Sequence, residues 1–322
     1  MIPLEWLSEA RQRIRDYIRH TPLTKDPNAE IYIKWENLQV TGSFKIRGAL
    51  NKVLSLQPWE RERGLVAASA GNHGAGLALA GQITGAPVMV FVPEDASPLK
   101  IERMRSIGAE VSLVPGGYGD AEKAGVAYAR SHNVTWVSPY NDGQVIAGQG
   151  TVALEVLNDL PPGENYTWVV PCGGGGLISG IGTAIKSQKN DDVRHWLVGV
   201  QSEASPFMHA LYYEGTQSNV TELVSLADGL SGPVEHNSLT IPITRSLADQ
   251  FVLVSEEEII AGIRYVWEGF NEIIEPSSAV VFAAVLSGKI PDRPLVLIVS
   301  GGNIPPHIHQ KLIGKGSSRG YN

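Results

Sequence analysis

The residue whose type and setting most suggest chemistry is Lys45, which follows the turn Thr-Gly-Ser-Phe in KWENLQVTGSFKIRGALNKV and starts a helical pattern running to about Gln57. Its neighbours Phe44, Ile46 and Ala49 are apolar. A helix N-terminus and an apolar setting both disfavour the ammonium form, which lowers the amine's pKa and frees it for Schiff-base chemistry. The ordinary alternative is a solvated surface lysine. A second feature is PCGGGGLISGIG, where Gly173, Gly174, Gly175 and Gly176 follow an apolar strand pattern and open a helical one. Glycine there lets backbone N–H groups face an anion at the positive end of a helix, and phosphate is the natural occupant. The dinucleotide pattern G-x-G-x-x-G fails because Ser179 stands in the third glycine's place, and no Walker lysine follows. A bare strand-to-helix turn is the competing reading, although one or two glycines would suffice for it. The third segment, SAGNHGAGLALA from Ser69, also ends a strand and opens a helix. Its amides, with Ser69 and Asn72, suit a carboxylate, yet taken alone it reads better as a helix cap beside a structural His73. SGGN, residues 300–303, ends another strand in the same way.

These loops need elements to hold them. After an opening helix with Leu4, Leu7, Ile14 and Ile18 on one side, β-rich runs beginning at residues 31, 64, 87, 110, 134, 167, 195, 251 and 295 alternate with helical stretches. Such alternation indicates an α/β protein with parallel sheets covered by helices, and two domains accommodate this many strands better than one sheet. Ligands of open α/β sheets bind at the carboxyl ends of strands, where all three glycine-bearing loops fall. Two anionic groups plus a polar ring atom would employ all three. The 322 residues, 43% hydrophobic and 18% charged, can bury a substantial core. No apolar run approaches the roughly 20 residues of a membrane span, and the charged N-terminus is unlike a signal peptide, so a soluble cytoplasmic protein is expected. With 26 Lys+Arg against 33 Asp+Glu and no basic block, nucleic acid is not an expected partner. The single cysteine, Cys172, excludes an intrachain disulfide and a multi-thiolate metal site. The 35 glycines are expected at strand-to-helix junctions, and the last fifteen or so residues as a solvated tail.

The segments ENLQVTGSFKIRGA (36–49), SAGNHGAG (69–76), VIAGQGT (145–151), GGGGL (173–177), ADGL (227–230), EPSSA (275–279) and SGGN (300–303) span almost the whole chain. Together they resemble the fold-type II pyridoxal-phosphate (PLP) enzymes of the serine/threonine dehydratase (threonine ammonia-lyase) family. The resemblance implies a tryptophan synthase β-like α/β fold with the cofactor in a cleft between two domains: a large one of residues 1–63 and 142–322, and a small substrate-binding one of residues 64–141. It implies that Lys45 carries the cofactor, Phe44 packs against its ring, and Asn72 meets its 3′-oxygen. Gly173, Gly174, Gly175, Gly176 and the Leu177 amide would hold its phosphate, and Ser300 would meet the pyridine nitrogen. Ser69, Ala70, Gly71, Asn72 and His73 would bind the substrate carboxylate. The implied reaction is β-elimination from a 3-hydroxy amino acid, L-threonine or L-serine, with Lys45 as anchor and base, giving a 2-oxo acid and ammonia. A homodimer is the family's usual arrangement. The near alternative is a 3-hydroxyaspartate or bulkier 3-hydroxy amino acid dehydratase, and the more distant one a cysteine synthase-like β-replacement enzyme.

Several positions depart from the family's patterns. Ala70 stands where serine racemases carry a serine, which favours elimination over two-base racemization. Gln201 and Phe207 in VQSEASPF replace acids of a divalent-cation site, so no structural metal is expected. Tyr140 and Asn141 in SPYNDGQ alter a segment expected to border the cleft. Glu275 is expected either near the ring or as a helix cap, Cys172 as a buried small residue, and His307 and His309 as surface residues.

Overall fold

A computed structural model of the chain describes residues 2–27, 29–187, 193–290 and 294–314. The strands are β1 (Leu23–Lys25), β2 (Ile31–Trp35), β3 (Leu65–Ala68), β4 (Val88–Pro93), β5 (Glu110–Val114), β6 (Thr135–Trp136), β7 (Thr167–Pro171), β8 (Trp196–Ser202), β9 (Gln250–Val254) and β10 (Leu295–Val299). The helices of the first half are α1 (Leu4–Ile14), α2 (Lys45–Ser55), α3 (Pro58–Arg63), α4 (Asn72–Thr84), α5 (Pro98–Ser106), α6 (Tyr118–His132) and α7 (Gly143–Asp159). Those of the second half are α8 (Gly176–Lys186), α9 (Phe207–Tyr213), α10 (Thr240–Leu247), α11 (Glu256–Phe270), α12 (Pro276–Leu286) and α13 (Pro306–Ile313). One sheet runs β1-β2-β10-β7-β8-β9 and the other β5-β4-β3-β6, so the smaller sheet uses only strands from the middle of the first half. All pairings are parallel except β1 with β2.

Alternating residues explain why the central strands read as unbroken apolar runs. On β7, Trp168 and Val170 belong to the buried cluster that holds Ile178 and Ile181 of α8, while Val169 belongs to the one that holds Ile263 of α11 and Phe282 of α12. Both faces of the sheet are covered, so neither needs polar residues. Every expected run holds a strand, but β6 is cut to two residues, and the antiparallel edge strand β1 carries no pattern the sequence could reveal.

Other expectations are corrected. In α1 the buried stripe is Leu7, Ala10 and Ile14; Leu4 is exposed and Ile18 lies beyond the helix. The C-terminal segment is helical through Ile313, with Leu312 buried, and the rest of the expected tail, residues 315–322, lies outside the described residues. His307 is exposed, but His309 is buried 5.3 Å from the Trp267 ring. Glycines also serve inside helices: a Cβ on Gly148 of α7 would come 2.5 Å from the Arg47 carbonyl oxygen, so α7 and α2 touch backbone to backbone.

Helix α2, which carries Lys45, is anchored by a cluster of four buried charges that the sequence did not announce. The Arg47 guanidinium meets Glu36 at 2.7 Å and Glu155 at 2.6 Å, and Lys34 meets Glu155 at 2.6 Å and the Thr21 carbonyl at 2.7 Å. Two cations and two anions cancel, which is what allows them inside. Arg47 lies two positions after Lys45, about 200° around the helix, so the cluster grips the back of α2 while Lys45 projects from its front.

Candidate active site

Lys45 is the first residue of α2 and is half-buried. Its Nζ donates to the Pro139 carbonyl at 3.0 Å and lies 5.2 Å from the centre of the Phe44 ring. Burial lowers its pKa to about 8, against the opposing pull of the Glu275 carboxylate.

The carbonyl that holds this amine belongs to a short segment after β6. Val137 N–H still donates to Val66 O at 2.8 Å, and the Val137 carbonyl accepts from His73 Nε2 at 2.9 Å. A carbonyl can only accept, so Nε2 carries the hydrogen and Nδ1 is left with a lone pair. Nδ1 is buried without a partner among the described residues. Burial and the nearby Lys45 push His73 down to about 3, so the ring is neutral.

One residue past Pro139, Tyr140 lies against the glycine loop. A Cβ on Gly174 would sit 2.4 Å from Tyr140 Cδ1, and one on Gly176 would sit 2.9 Å from Tyr140 Cβ. Gly175 adopts φ 85°, a left-handed conformation that favours glycine. The run of glycines is therefore required by the ring over it as well as by the turn. In α8 the Ser179 N–H donates to Gly175 O at 3.0 Å, so the N–H groups of Gly176, Leu177 and Ile178 precede the first intrahelical bond. N–H groups left free at the positive end of a helix are donors that a phosphate fits. The Lys45 and glycine-loop contacts fall on consecutive residues, Pro139 and Tyr140, so one short segment links the amine to the start of α8.

The 69–73 loop comes to the same place. The sequence favoured a side-chain cap here, and the structure corrects it: α4 has Gly71 in the capping position and no side-chain cap. Ser69 Oγ instead accepts from Gly71 N–H at 3.1 Å. The N–H groups of Asn72, His73 and Gly74 are left free of intrahelical acceptors, a site that a carboxylate fits. Ala70 and Gly71 are half-buried beside them.

Opposite stands the end of β10. Ser300 is buried, its carbonyl accepts from Phe44 N–H at 3.0 Å, and its hydroxyl lies 2.9 Å from that of Ser278. Asn72 Nδ2 donates to Glu275 Oε1 at 2.7 Å, and Asn72 Oδ1 accepts from Asn303 Nδ2 at 2.6 Å. Glu275 precedes α12 but makes no side-chain cap, so of its two expected placements the structure selects the site. Burial, and then the charge of Asp228, raise it to about 7.

Sequence reasoning missed three participants. Arg103 of α5 donates to Asn303 Oδ1 and, at 2.9 Å, to the Thr41 carbonyl. The Pro139 carbonyl could not be foreseen because backbone leaves no mark in residue type. Glu235 accepts from Asn141 Nδ2 at 2.7 Å, while its N–H donates to the Tyr140 hydroxyl at 2.9 Å, so the altered SPYND segment is matched by its own partner loop. Cys172 is buried and its thiol pKa is pushed up by burial, as a packing residue's would be. Gln201 Oε1 accepts from His209 N–H at 2.7 Å, and among the described residues no group of three His, Cys, Asp or Glu could hold a metal ion. No helix among them is long and apolar enough to cross a membrane.

Comparison with known proteins agrees with this geometry. Residues 14–301 match the family described as "Pyridoxal-phosphate dependent enzyme". The chain is 41% identical to an L-threonine ammonia-lyase of Thermotoga maritima, over 98% of this chain and 79% of that one. It is 37% identical to a catabolic L-threonine dehydratase of Staphylococcus aureus, over 94% and 90%. Among solved structures, threonine deaminase isoform 2 of Solanum lycopersicum superposes with a TM-score of 0.87 at 29% identity, covering 97% of this chain and 93% of that one. Serine racemase of Dictyostelium discoideum gives 0.84 at 33% identity, covering 94% and 99%. With a family match over residues 14–301 and relatives 37–41% identical over most of its length, the chain belongs to the pyridoxal-phosphate-dependent enzymes, in the fold-type II serine/threonine dehydratase family.

Proposed function

We propose that this enzyme is a lyase that converts L-threonine or L-serine to the corresponding 2-oxo acid and ammonia. The observation that carries the reading is the Lys45 amine, held on the Pro139 carbonyl within a segment that also bonds His73 at the start of α4 and packs Tyr140 on the glycine loop that opens α8. PLP, when bound, supplies an electron sink for negative charge at the substrate's α-carbon. Lys45 Nζ is its attachment point and the base that takes the α-proton; a pKa of about 8 keeps that amine competent near neutral pH. The N–H groups of Gly176, Leu177 and Ile178, with the run Gly173, Gly174 and Gly175, would hold its phosphate, and Phe44 would line its ring. Asn72 would give an N–H to its 3′-oxygen, and Ser300 would meet its pyridine nitrogen with a hydroxyl, which does not enforce protonation there. The N–H groups of the 69–73 loop take the substrate carboxylate.

The alanine at position 70 offers no hydroxyl for a second proton transfer, which supports elimination over racemization. The names of the relatives support threonine as substrate. Glu235, bound to Tyr140 and Asn141 beside the glycine loop, supports a neutral rather than an anionic side chain, because like charges repel. The same reading takes residues 64–141 as the small domain and 1–63 with 142–322 as the large one, supported by the two separate sheets. It also takes the enzyme as a cytoplasmic homodimer, from the family's habit, which sedimentation of the purified protein tests.

The deciding experiment measures 2-oxo acid and ammonia from L- and D-serine, L- and D-threonine and the 3-hydroxyaspartate isomers, with PLP added and Lys45→Ala as control. Equal amounts of both products from L-threonine or L-serine, absent in the control, are expected. Protein that binds PLP covalently yet eliminates none of these substrates overturns the proposal.

A further inference from the structure

Amide side chains can be turned either way round, and the environment decides which end points where. The two asparagines of this site, Asn72 and Asn303, form a chain whose far end is occupied by Arg103, more than 190 residues from Asn303 in sequence and contributed by α5. A guanidinium has donors only. It gives one N–H to Asn303 Oδ1 and another, at 2.9 Å, to the Thr41 carbonyl, four residues before Lys45. With Oδ1 so engaged, both Asn303 Nδ2 hydrogens turn the other way, one to the same Thr41 carbonyl at 2.9 Å and one to Asn72 Oδ1 at 2.6 Å. Asn72 must then turn its NH2 end outward. One of its hydrogens goes to Glu275 Oε1 at 2.7 Å and the second is left for a ligand. Gly42 makes room for the arrangement: it adopts φ 67°, and a Cβ there would overlap Asn303 Oδ1.

The geometry points to Arg103 as a positioning residue that locks the Asn303–Asn72 pair so that Asn72 offers an N–H, not a carbonyl, to the cofactor's ring oxygen. This rests on the contact of Asn72 with that oxygen proposed above. Arg103 touches no reacting atom. It acts through two amides, and it also joins the smaller-sheet side of the molecule to the turn that leads into Lys45.

The test is a double-mutant cycle on the purified enzyme, read by the dissociation constant for PLP and by the absorbance maximum of PLP bound at Lys45. Arg103→Met, which keeps the length and removes the donors, weakens PLP binding about tenfold and shifts the band, as loss of one oriented hydrogen bond does. Arg103→Lys, still a donor without an acceptor, restores most of both. In the Asn72→Ala background, Arg103→Met has no further effect on either readout. Additive losses in the cycle, or equal losses from the Met and Lys variants, overturn the role of Arg103 while leaving Asn72's intact. An Asn72→Ala enzyme with unchanged affinity and band overturns both.

Discussion

Substituting Gly174 by alanine tests the phosphate cradle most directly. The new Cβ would stand 2.4, 2.5 and 2.5 Å from Cδ1, Cε1 and Cγ of Tyr140, whereas carbons in contact rest at about 3.5–4.0 Å. Relief requires a shift of about 1 Å by the loop or by the ring. The ring is not free to supply it, because the Tyr140 hydroxyl is held by Glu235 N–H at 2.9 Å and Tyr140 Cβ faces Gly176. The loop must move instead, carrying the α8 N–H groups with it. Overpacking of this kind costs about 1–3 kcal/mol, which as lost cofactor affinity is a factor of roughly 5 to 150. Fluorescence titration of the PLP-free protein with PLP measures it. Removing the ring should remove the clash, so Gly174→Ala in a Tyr140→Ala background is expected to change the dissociation constant by less than about threefold. Gly174→Ala that binds PLP within twofold of the parent, or a loss that persists at full size without the ring, would refute the packing argument.

Two further outcomes follow from the charges. Only the neutral amine attaches PLP, so the attachment rate in PLP-free protein should rise with pH through a midpoint of about 8 and level off beyond it; Glu275→Gln removes the charge that favours the ammonium form and lowers that midpoint, whereas a rise continuing to pH 10 would count against a buried amine. Glu155→Gln leaves the buried cluster with two cations and one anion and should cost about 3–5 kcal/mol, a drop of roughly 4–7 °C in Tm by calorimetry, while Lys25→Gln at the exposed Lys25–Glu30 pair should change Tm by less than about 2 °C; equal effects would mean the cluster is not anchoring α2.

What the sequence displayed is what depends on local pattern. The strands of the two-faced sheet show as apolar runs, and Gly173 to Gly176 show as a strand-to-helix junction because turn, helix start and close approach all demand glycine within four positions. Lys45 shows through its turn and its apolar neighbours. What depends on distant chain was hidden. Arg103 reads as one more surface arginine on an amphipathic helix until α5 packs beside residue 303, and Glu36 and Arg47 read as ordinary charges until β2, α2 and α7 enclose them. His309 is polar by type yet buried, and Gly148 sits within a helix for the sake of its neighbour's backbone rather than its own. The cap on α4 was misread for a subtler reason: Ser69 and Asn72 are good capping residues, but each side chain has another partner, and this leaves the helix end open to a ligand.

The early end of β6 has a mechanical consequence. Residues 137–142 give one carbonyl to His73, the next but one to Lys45, a ring to the glycine loop, and the Asp142 carboxylate to the first N–H groups of α7. They are also one of the two places where the chain crosses from the smaller sheet's strands to the larger sheet's layer. A rotation of one sheet against the other would therefore act on the same six residues that hold the Lys45 amine, the His73 ring and the glycine loop. Adding or deleting a residue in this short piece of chain would therefore misalign every one of these contacts at once.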